Sequence, residues 1–181
     1  KIVSYAHLEG FHYKPRADVE LLKKHSKGLI ALSGCMSGII AKSILNDEPE
    51  YAEKWIQTFI DIFGKENFYI ELQRHPGIPE LPKLEKKLIA LSRKYGLGLV
   101  ATNDAHYVAK DDAYAQEVLM CIQTRSSMLD SERPMSMIDV PDFYIKSAKE
   151  MEAQFADLPE AIENTVKIAD RCNLTIPHDR W

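Results

Sequence analysis

The chain has 181 residues, of which 45% are hydrophobic and 28% charged, the balance expected of one globular domain with a sizeable core. A formal net charge of −4 argues against a protein that binds nucleic acid through bulk charge, and three widely spaced cysteines argue against a disulfide framework. No apolar run reaches the roughly 18 residues of a membrane helix, so no membrane partner is predicted. Because the sequence starts without Met or a secretory signal, we expect a piece of a longer, cytoplasmic protein.

Three short apolar runs, each followed by polar residues, predict the buried strands of a parallel sheet. These strands are predicted at residues 28–32, 68–72 and 97–101. Helical spacing of apolar residues, with a Gly beyond each end, predicts helices at about 17–26, 50–63 and 81–95. Strands and helices that alternate in this way favour parallel strands joined by right-handed crossovers.

The pattern changes after His106. A helix is predicted at about 111–123, then a long loop at 124–142 and a brief extended piece at 143–146. Two further helices are predicted to begin at the capping patterns Ser147-Ala-Lys-Glu150 and Asp157-Leu-Pro-Glu160.

Polar side chains follow all three predicted strands. The carboxyl ends of parallel strands meet at one edge of a sheet, where functional groups gather. The candidates at this edge are Cys35, Gln73, Arg74, His75, Asn103, Asp104 and His106.

Asp104 and His106 form the sharpest local motif. Residues two apart in an extended segment point to the same side, so this pair offers a carboxylate and an imidazole to one centre. That ligand set suits Zn, Mn or Fe. The alternative is an Asp that caps the next turn and a His bonded to a neighbouring backbone group.

The other candidates have ordinary structural alternatives. A lone Cys after an apolar run is usually a small buried hydrophobe, although Cys35 lies at the same predicted edge as Asp104. His75 is a loop residue or a substrate contact, and Arg74 is exposed to solvent or bound to a phosphate. Asn103 is a further possible substrate contact.

Several stretches occur together in the order known from one protein family. They are Ser4–Arg16, Gly28-Leu-Ile-Ala-Leu-Ser-Gly-Cys35, Phe68-Tyr-Ile-Glu-Leu-Gln-Arg-His75, Val100-Ala-Thr-Asn-Asp-Ala-His-Tyr107 and Phe143-Tyr-Ile-Lys-Ser147. This set resembles the later portion of the PHP (polymerase and histidinol phosphatase) domain in alpha subunits of bacterial DNA polymerase III. The resemblance extends over essentially the whole chain.

The resemblance implies an α/β fold, namely part of a distorted (β/α)7 PHP barrel with parallel strands alternating with helices, followed by a mostly helical tail. It places the C-terminal portion of the barrel at residues 1–108, the helical tail at 109–173 and the start of a linker to the polymerase palm at 174–181.

The resemblance also implies a metal site. The late metal ligands of the family match Cys35, Asp104 and His106, with Asp104 and His106 as catalytic residues. The earlier ligands would precede this chain. A complete domain holds up to three divalent ions, for which Zn, Mn and Mg are the candidates.

The implied function is that of a fragment of a replicative DNA-directed DNA polymerase, a nucleotidyltransferase whose partners are DNA and the other holoenzyme subunits. Family members that keep the metals act as 3′–5′ exonucleases in proofreading, and the isolated fragment is expected to be inactive. One alternative is a non-catalytic module that braces the polymerase or docks a separate proofreading subunit. Another is a stand-alone PHP phosphatase, against which the tail after His106 argues.

Overall fold

The computed structural model describes residues 1–176. Its helices are α1 (Ile2–Leu8), α2 (Val19–His25), α3 (Ile39–Leu45), α4 (Pro49–Phe63), α5 (Leu81–Tyr95), α6 (Ala113–Thr124), α7 (Ala148–Gln154) and α8 (Pro159–Arg171). Its strands are β1 (Phe11–His12), β2 (Lys14–Pro15), β3 (Ala31–Leu32), β4 (Phe68–Leu72) and β5 (Gly98–Ala101). None of the helices in this part of the chain is long and apolar enough to cross a membrane. From residue 177 onward, the predicted linker lies outside the described residues.

The larger sheet has three parallel strands in the order β3-β4-β5, with β4 at its centre. Ala31 pairs with Phe68, and Leu72 pairs with Ala101. All three strands therefore run in one direction and end at the same edge, which we call the rim. The predicted α/β class with parallel strands is confirmed, whereas the seven-stranded barrel stays an implication of the resemblance.

One face of β4 supplies the centre of the hydrophobic core. Phe68, Ile70 and Leu72 are fully buried, whereas Tyr69 and Glu71 point to the other face and are half-buried. This alternation follows from the period of two along a strand. Around this face pack Ile40 of α3, Ile56 of α4, Leu84 and Leu88 of α5, Leu99 of β5 and Ala161 of α8.

Helices α4 and α5 lie where the apolar spacing predicts them. Each has a Pro in its first turn, where the missing N–H costs nothing, and each stops at a Gly. Gly64 and Gly96 have φ angles of 80° and 66°, which favour glycine over other residues. These local signals were sufficient because both helices are 15 residues long.

In the first 45 residues, the helix predicted at about 17–26 is confirmed by α2, but the other elements differ from the prediction. Strand β3 has two residues instead of five, because Gly28 (φ 80°) and a turn bond from Leu29 N to Ser26 O hold the chain out of the sheet. Helices α1 and α3 and the β1-β2 hairpin were not predicted. Both helices have seven residues, about two turns, which leaves little room for a helical period to show.

Helix α8 closes the β5 side of the sheet. The Asn164 side-chain amide donates to the backbone carbonyl of Leu99 at 2.7 Å. Phe155, Leu158 and Ala161 belong to the same hydrophobic cluster as the strands. The helices after residue 108 therefore share a core with the sheet, and the boundary between barrel and tail stays a prediction.

Candidate functional site at the rim of the sheet

The loop after β5 brings Asp104 and His106 together. His106 Nδ1 lies 2.9 Å from the Asp104 carbonyl oxygen and 3.9 Å from Asp104 Oδ1. Both side chains are about one-third exposed, at 33% for Asp104 and 35% for His106. Their proximity does not come from extended backbone, since Asp104 has a φ of 52° in the left-handed region, which Asp tolerates better than most residues.

The hydrogen bond to the Asp104 carbonyl decides the tautomer of His106. A carbonyl oxygen can only accept, so Nδ1 carries a proton, and in the neutral imidazole the lone pair is on Nε2. Histidines that bind metals have this arrangement, in which the second ring nitrogen donates to a backbone carbonyl or carboxylate. The pair thus presents a carboxylate and a free imidazole nitrogen, donors that fit Zn or Mn.

The loop after β3 carries Cys35, whose thiol side chain is half-buried. Gly34 has a φ of 82°, and Gly38 N donates to the Cys35 carbonyl at 2.8 Å. A Cβ added at Gly38 would lie 2.7 Å from the carbonyl oxygen of Ser33, so this tight loop needs glycine there. The loop lines a small cavity together with Glu71 and Gln73 of the central strand.

Glu71 connects the loops that follow β3 and β5. Its Oε2 accepts from Gly34 N at 3.1 Å, and its Oε1 accepts from Thr102 Oγ1 at 2.5 Å and from Gln73 Nε2 at 3.1 Å. Its own backbone N–H donates to Ser33 Oγ at 2.9 Å. Sequence reasoning missed Glu71, although an acidic residue inside an apolar strand is a signal that could have found it.

Within residues 1–176, no group of three or more His, Cys, Asp or Glu side chains converges on one point as a complete metal site would. The structure brings Asp104 and His106 together, and Cys35 lies at the same rim after a different strand. A structural zinc site needs four ligands. The donors at the rim have chemistry that fits a divalent metal, and a metal site formed by Cys35, Asp104 and His106 stays a prediction.

Arg74 is held by internal partners. Its guanidinium donates to both carboxylate oxygens of Glu85, to both of Asp157 and to the Gln154 carbonyl. It also lies 4.4 Å from the centre of the Phe155 ring. The hydrogen bonds to Glu85 raise the pKa of Arg74 above its ordinary value, which is already high. These contacts join the rim to α5 and to the α7–α8 turn, and a contact between Arg74 and substrate stays a prediction.

His75 is buried at the rim with 4% of its surface exposed. Its Nδ1 lies 3.1 Å from Asp142 Oδ2, and its ring stacks on Phe143 at 4.3 Å between centroids. Burial lowers the pKa of His75 even though the hydrogen bond to Asp142 acts in the opposite direction. Its Nε2 has no hydrogen-bond partner among the described residues.

Asn103 uses both ends of its amide inside the protein. Its Nδ2 donates to the Tyr144 carbonyl at 2.8 Å, and its Oδ1 accepts from Lys146 Nζ at 3.1 Å. Substrate contacts by His75 and Asn103 stay predictions. The partners that hold these two residues, 41 to 67 positions away in sequence, were not foreseen.

Comparison with known proteins gives the chain its family. A family model described as the PHP domain matches residues 1–75. DNA polymerase III subunit alpha of Thermus aquaticus is 46% identical over 98% of this chain, that of Borreliella burgdorferi 44% over 96%, and that of Treponema pallidum 41% over 96%. The chain belongs to the DNA polymerase III alpha subunit family. The resemblance carried by the motifs is thereby confirmed.

The part of the family that this chain represents is the PHP region. The chain spans 14% of the length of the Thermus aquaticus alpha subunit and 15% of the other two. The PHP match includes Cys35 and His75 and ends before Asp104. The chain is thus a fragment of a DNA polymerase III alpha subunit that includes PHP sequence.

Proposed function

We propose that this chain contributes the late ligands of a metal-dependent 3′–5′ exonuclease site in a replicative DNA polymerase. The full protein would be a cytoplasmic DNA-directed DNA polymerase that acts on DNA together with other holoenzyme subunits. The support comes from alpha subunits that are 41% to 46% identical to this chain and from the donors at the rim.

The observation that carries the proposal is the orientation of His106. Its Nδ1 donates to the Asp104 carbonyl and lies 3.9 Å from Asp104 Oδ1, so Nε2 is the ring nitrogen that remains for a metal in the neutral imidazole. Asp104 and His106 would hold a divalent ion, and the Cys35 thiolate is the third candidate ligand. Such an ion, when bound, lowers the pKa of a water molecule and neutralises phosphate charge during phosphodiester hydrolysis.

The residues of this chain shape the site around those donors. The Glu71 carboxylate fixes the Cys35 loop relative to β5 by accepting from Gly34 N and Thr102 Oγ1. The side chains of Asp104 and His106 are about one-third exposed, so a single-stranded 3′ end could reach them. A net charge of −4 means that phosphate contacts would be local.

Asp104→Asn in the full-length polymerase tests the proposal. We expect exonuclease activity on a mismatched primer end to fall at least about 100-fold, since even partners of metal ligands account for 10- to 100-fold effects. Polymerisation on a matched primer should stay unchanged. Asp111→Asn, which alters an exposed carboxylate in the turn before α6, is the matched control and should keep both activities.

A second candidate function is a structural module that braces the polymerase or docks a separate proofreading subunit. The specific observation in its favour is that no complete ligand set converges within residues 1–176. Measurement of bound Zn and Mn in the purified full-length protein separates the two. Stoichiometric metal that is lost in Asp104→Asn supports the exonuclease site, whereas a metal-free wild-type protein without exonuclease activity supports the structural module.

A further inference from the structure

The segment Asp142–Lys146, here called the brace, runs along the loop that carries Asp104 and His106. His106 N and Tyr107 N both donate to the Phe143 carbonyl, at 2.7 and 3.3 Å, and Tyr107 forms a parallel bridge with Tyr144. We propose that the brace positions the two rim ligands and that Lys146 is its decisive positioning residue. This inference rests on the proposed metal site.

Lys146 joins the brace to the residue immediately before Asp104. Its side chain is only 5% exposed, and Nζ donates to Asn103 Oδ1 at 3.1 Å, to the Asp142 carbonyl at 2.6 Å and to Asp142 Oδ2 at 3.1 Å. Three acceptors thus match the three protons of the ammonium group. A buried charge is tolerated only when it is paired in this way, so the geometry of all three groups is fixed together.

Phe143 fixes the ring of His106 from the other side. Its own ring contacts two imidazoles, stacked on His75 at 4.3 Å and edge-on to His106 at 5.4 Å between centroids. The Phe143 side chain is buried at 6% exposure, and its N–H donates to the Tyr107 hydroxyl at 3.2 Å. The direction in which His106 Nε2 points is therefore set by packing as well as by the bond to Asp104.

Asp104 needs surrounding contacts to hold it in place, because its backbone is in the left-handed conformation. A non-glycine residue at a φ of 52° costs free energy and persists only when its surroundings hold it. The bonds from Lys146 to Asn103 and from His106 N to Phe143 hold the residues on either side of Asp104. Loss of Lys146 would let Asp104 and His106 leave the arrangement in which both can bind one ion.

Lys146→Met in the full-length polymerase tests the inference, with Lys149→Met on the exposed surface of α7 as the matched control. We expect the Kd for Mn to rise about 10- to 100-fold in Lys146→Met, the range for loss of a group that orients a metal ligand. Exonuclease activity should then require more Mn, with an unchanged KM for the primer end. Amide exchange at residues 103–108 in metal-free protein should accelerate, while Lys149→Met behaves as wild type.

A double variant, Asp142→Asn with Lys146→Met, separates positioning from folding because it removes both charges of the ion pair. We expect its thermal stability to recover toward wild type while its Mn affinity stays low. Recovery of Mn affinity together with stability would reduce Lys146 to a structural role and overturn the inference. If wild type binds neither Mn nor Zn and lacks exonuclease activity, the proposed function fails by itself. The positioning role of the brace is then tested by amide exchange at residues 103–108 alone. Equal exchange rates in Lys146→Met and Lys149→Met would contradict that role.

Discussion

His75 shows how the rim changes the chemistry of a single side chain. Its ring is enclosed by Phe143 and bonded to Asp142, and burial keeps its pKa below the ordinary value for histidine. In the folded protein, His75 is therefore neutral at a pH where the exposed imidazole of an opened chain would already be protonated. The stability that His75 contributes is present at neutral pH and declines as the pH falls.

The pH dependence of local stability tests this description of His75. Between about pH 7 and 5, we expect the free energy of local opening at residues 142–146 to fall with pH, by at most about 1.4 kcal/mol per pH unit for one proton. Hydrogen exchange on the full-length protein, corrected for intrinsic rates, measures this slope. His75→Gln should abolish it, whereas His7→Gln, which alters an exposed imidazole bonded to Val3 of its own helix, should retain it. A slope that persists in His75→Gln would contradict the assignment.

The sequence predicts which candidate residues follow the strands, but it predicts a pair of neighbouring side chains only where the two residues are close in sequence. Asp104 and His106 are two positions apart and follow an apolar strand, so the motif was visible. Glu71 bonds to Gly34 and Thr102, and Lys146 bonds to Asn103, across 31 to 43 positions. Such pairs depend on strand register and on the path of the loop at 124–142, which local spacing does not encode.

At the scale of elements, a buried ion pair orders the long loop between α6 and the brace. Glu117 of α6 is fully buried and accepts from Arg133 Nε at 2.8 Å and from Met137 N at 2.9 Å. Burial alone would raise the pKa of Glu117, but the bonds from Met137, Ser136 and Arg133 together lower it. The carboxylate therefore stays charged and anchors the loop to the helix.

Glu117→Ala should detach this loop. Removal of one partner leaves Arg133 without its carboxylate, and we expect a loss of about 3 kcal/mol in the free energy of local unfolding. Limited proteolysis of the full-length protein within residues 124–142 measures the change as faster cleavage. Glu132→Ala, at an exposed neighbouring position, is the control. Equal cleavage rates in the two variants would show that Glu117 does not hold the loop.

Elements whose sequence carries its own start, stop and apolar spacing were predicted, whereas an element that depends on tertiary packing was not. Helices α4 and α5 carry a Pro at the start, a Gly at the end and several turns of apolar spacing between them. Helix α3 is half as long, and its burial of Ile40 and Ile44 comes from packing against α4 and α5. The stability of α3 therefore depends on tertiary contacts, which its own sequence does not reveal.

At the scale of the whole chain, the two sides of the sheet differ. Helix α8 covers β5 through Asn164, whereas β3 has no strand beyond it among the described residues. Apolar side chains are exposed on β3 and just before it, with Leu32 at 39% and Leu29 at 41%. An uncovered strand edge with apolar neighbours is a template for association.

The isolated 181-residue chain should therefore self-associate. We expect size-exclusion chromatography to show species larger than the 20.6 kDa monomer, because the β3 edge pairs between copies. Leu32→Lys, which places a charge at this edge, should shift the chain toward monomer. The control Leu174→Lys changes an equally apolar residue that is 86% exposed beyond α8. This variant should not shift the chain toward monomer. A monomeric wild-type chain would show that the edge is protected.

Arg74 has a consequence for how the polypeptide is held together. One guanidinium bonds Glu85 of α5 and Asp157 of the α7–α8 turn, and Phe155 packs beneath it in the common core. Noncovalent contacts thus hold residues 74–85 against residues 155–157. We therefore expect a chain that is cleaved within the loop at 124–142 to stay folded as two associated pieces. An intact backbone at this loop is not needed to keep the two parts together.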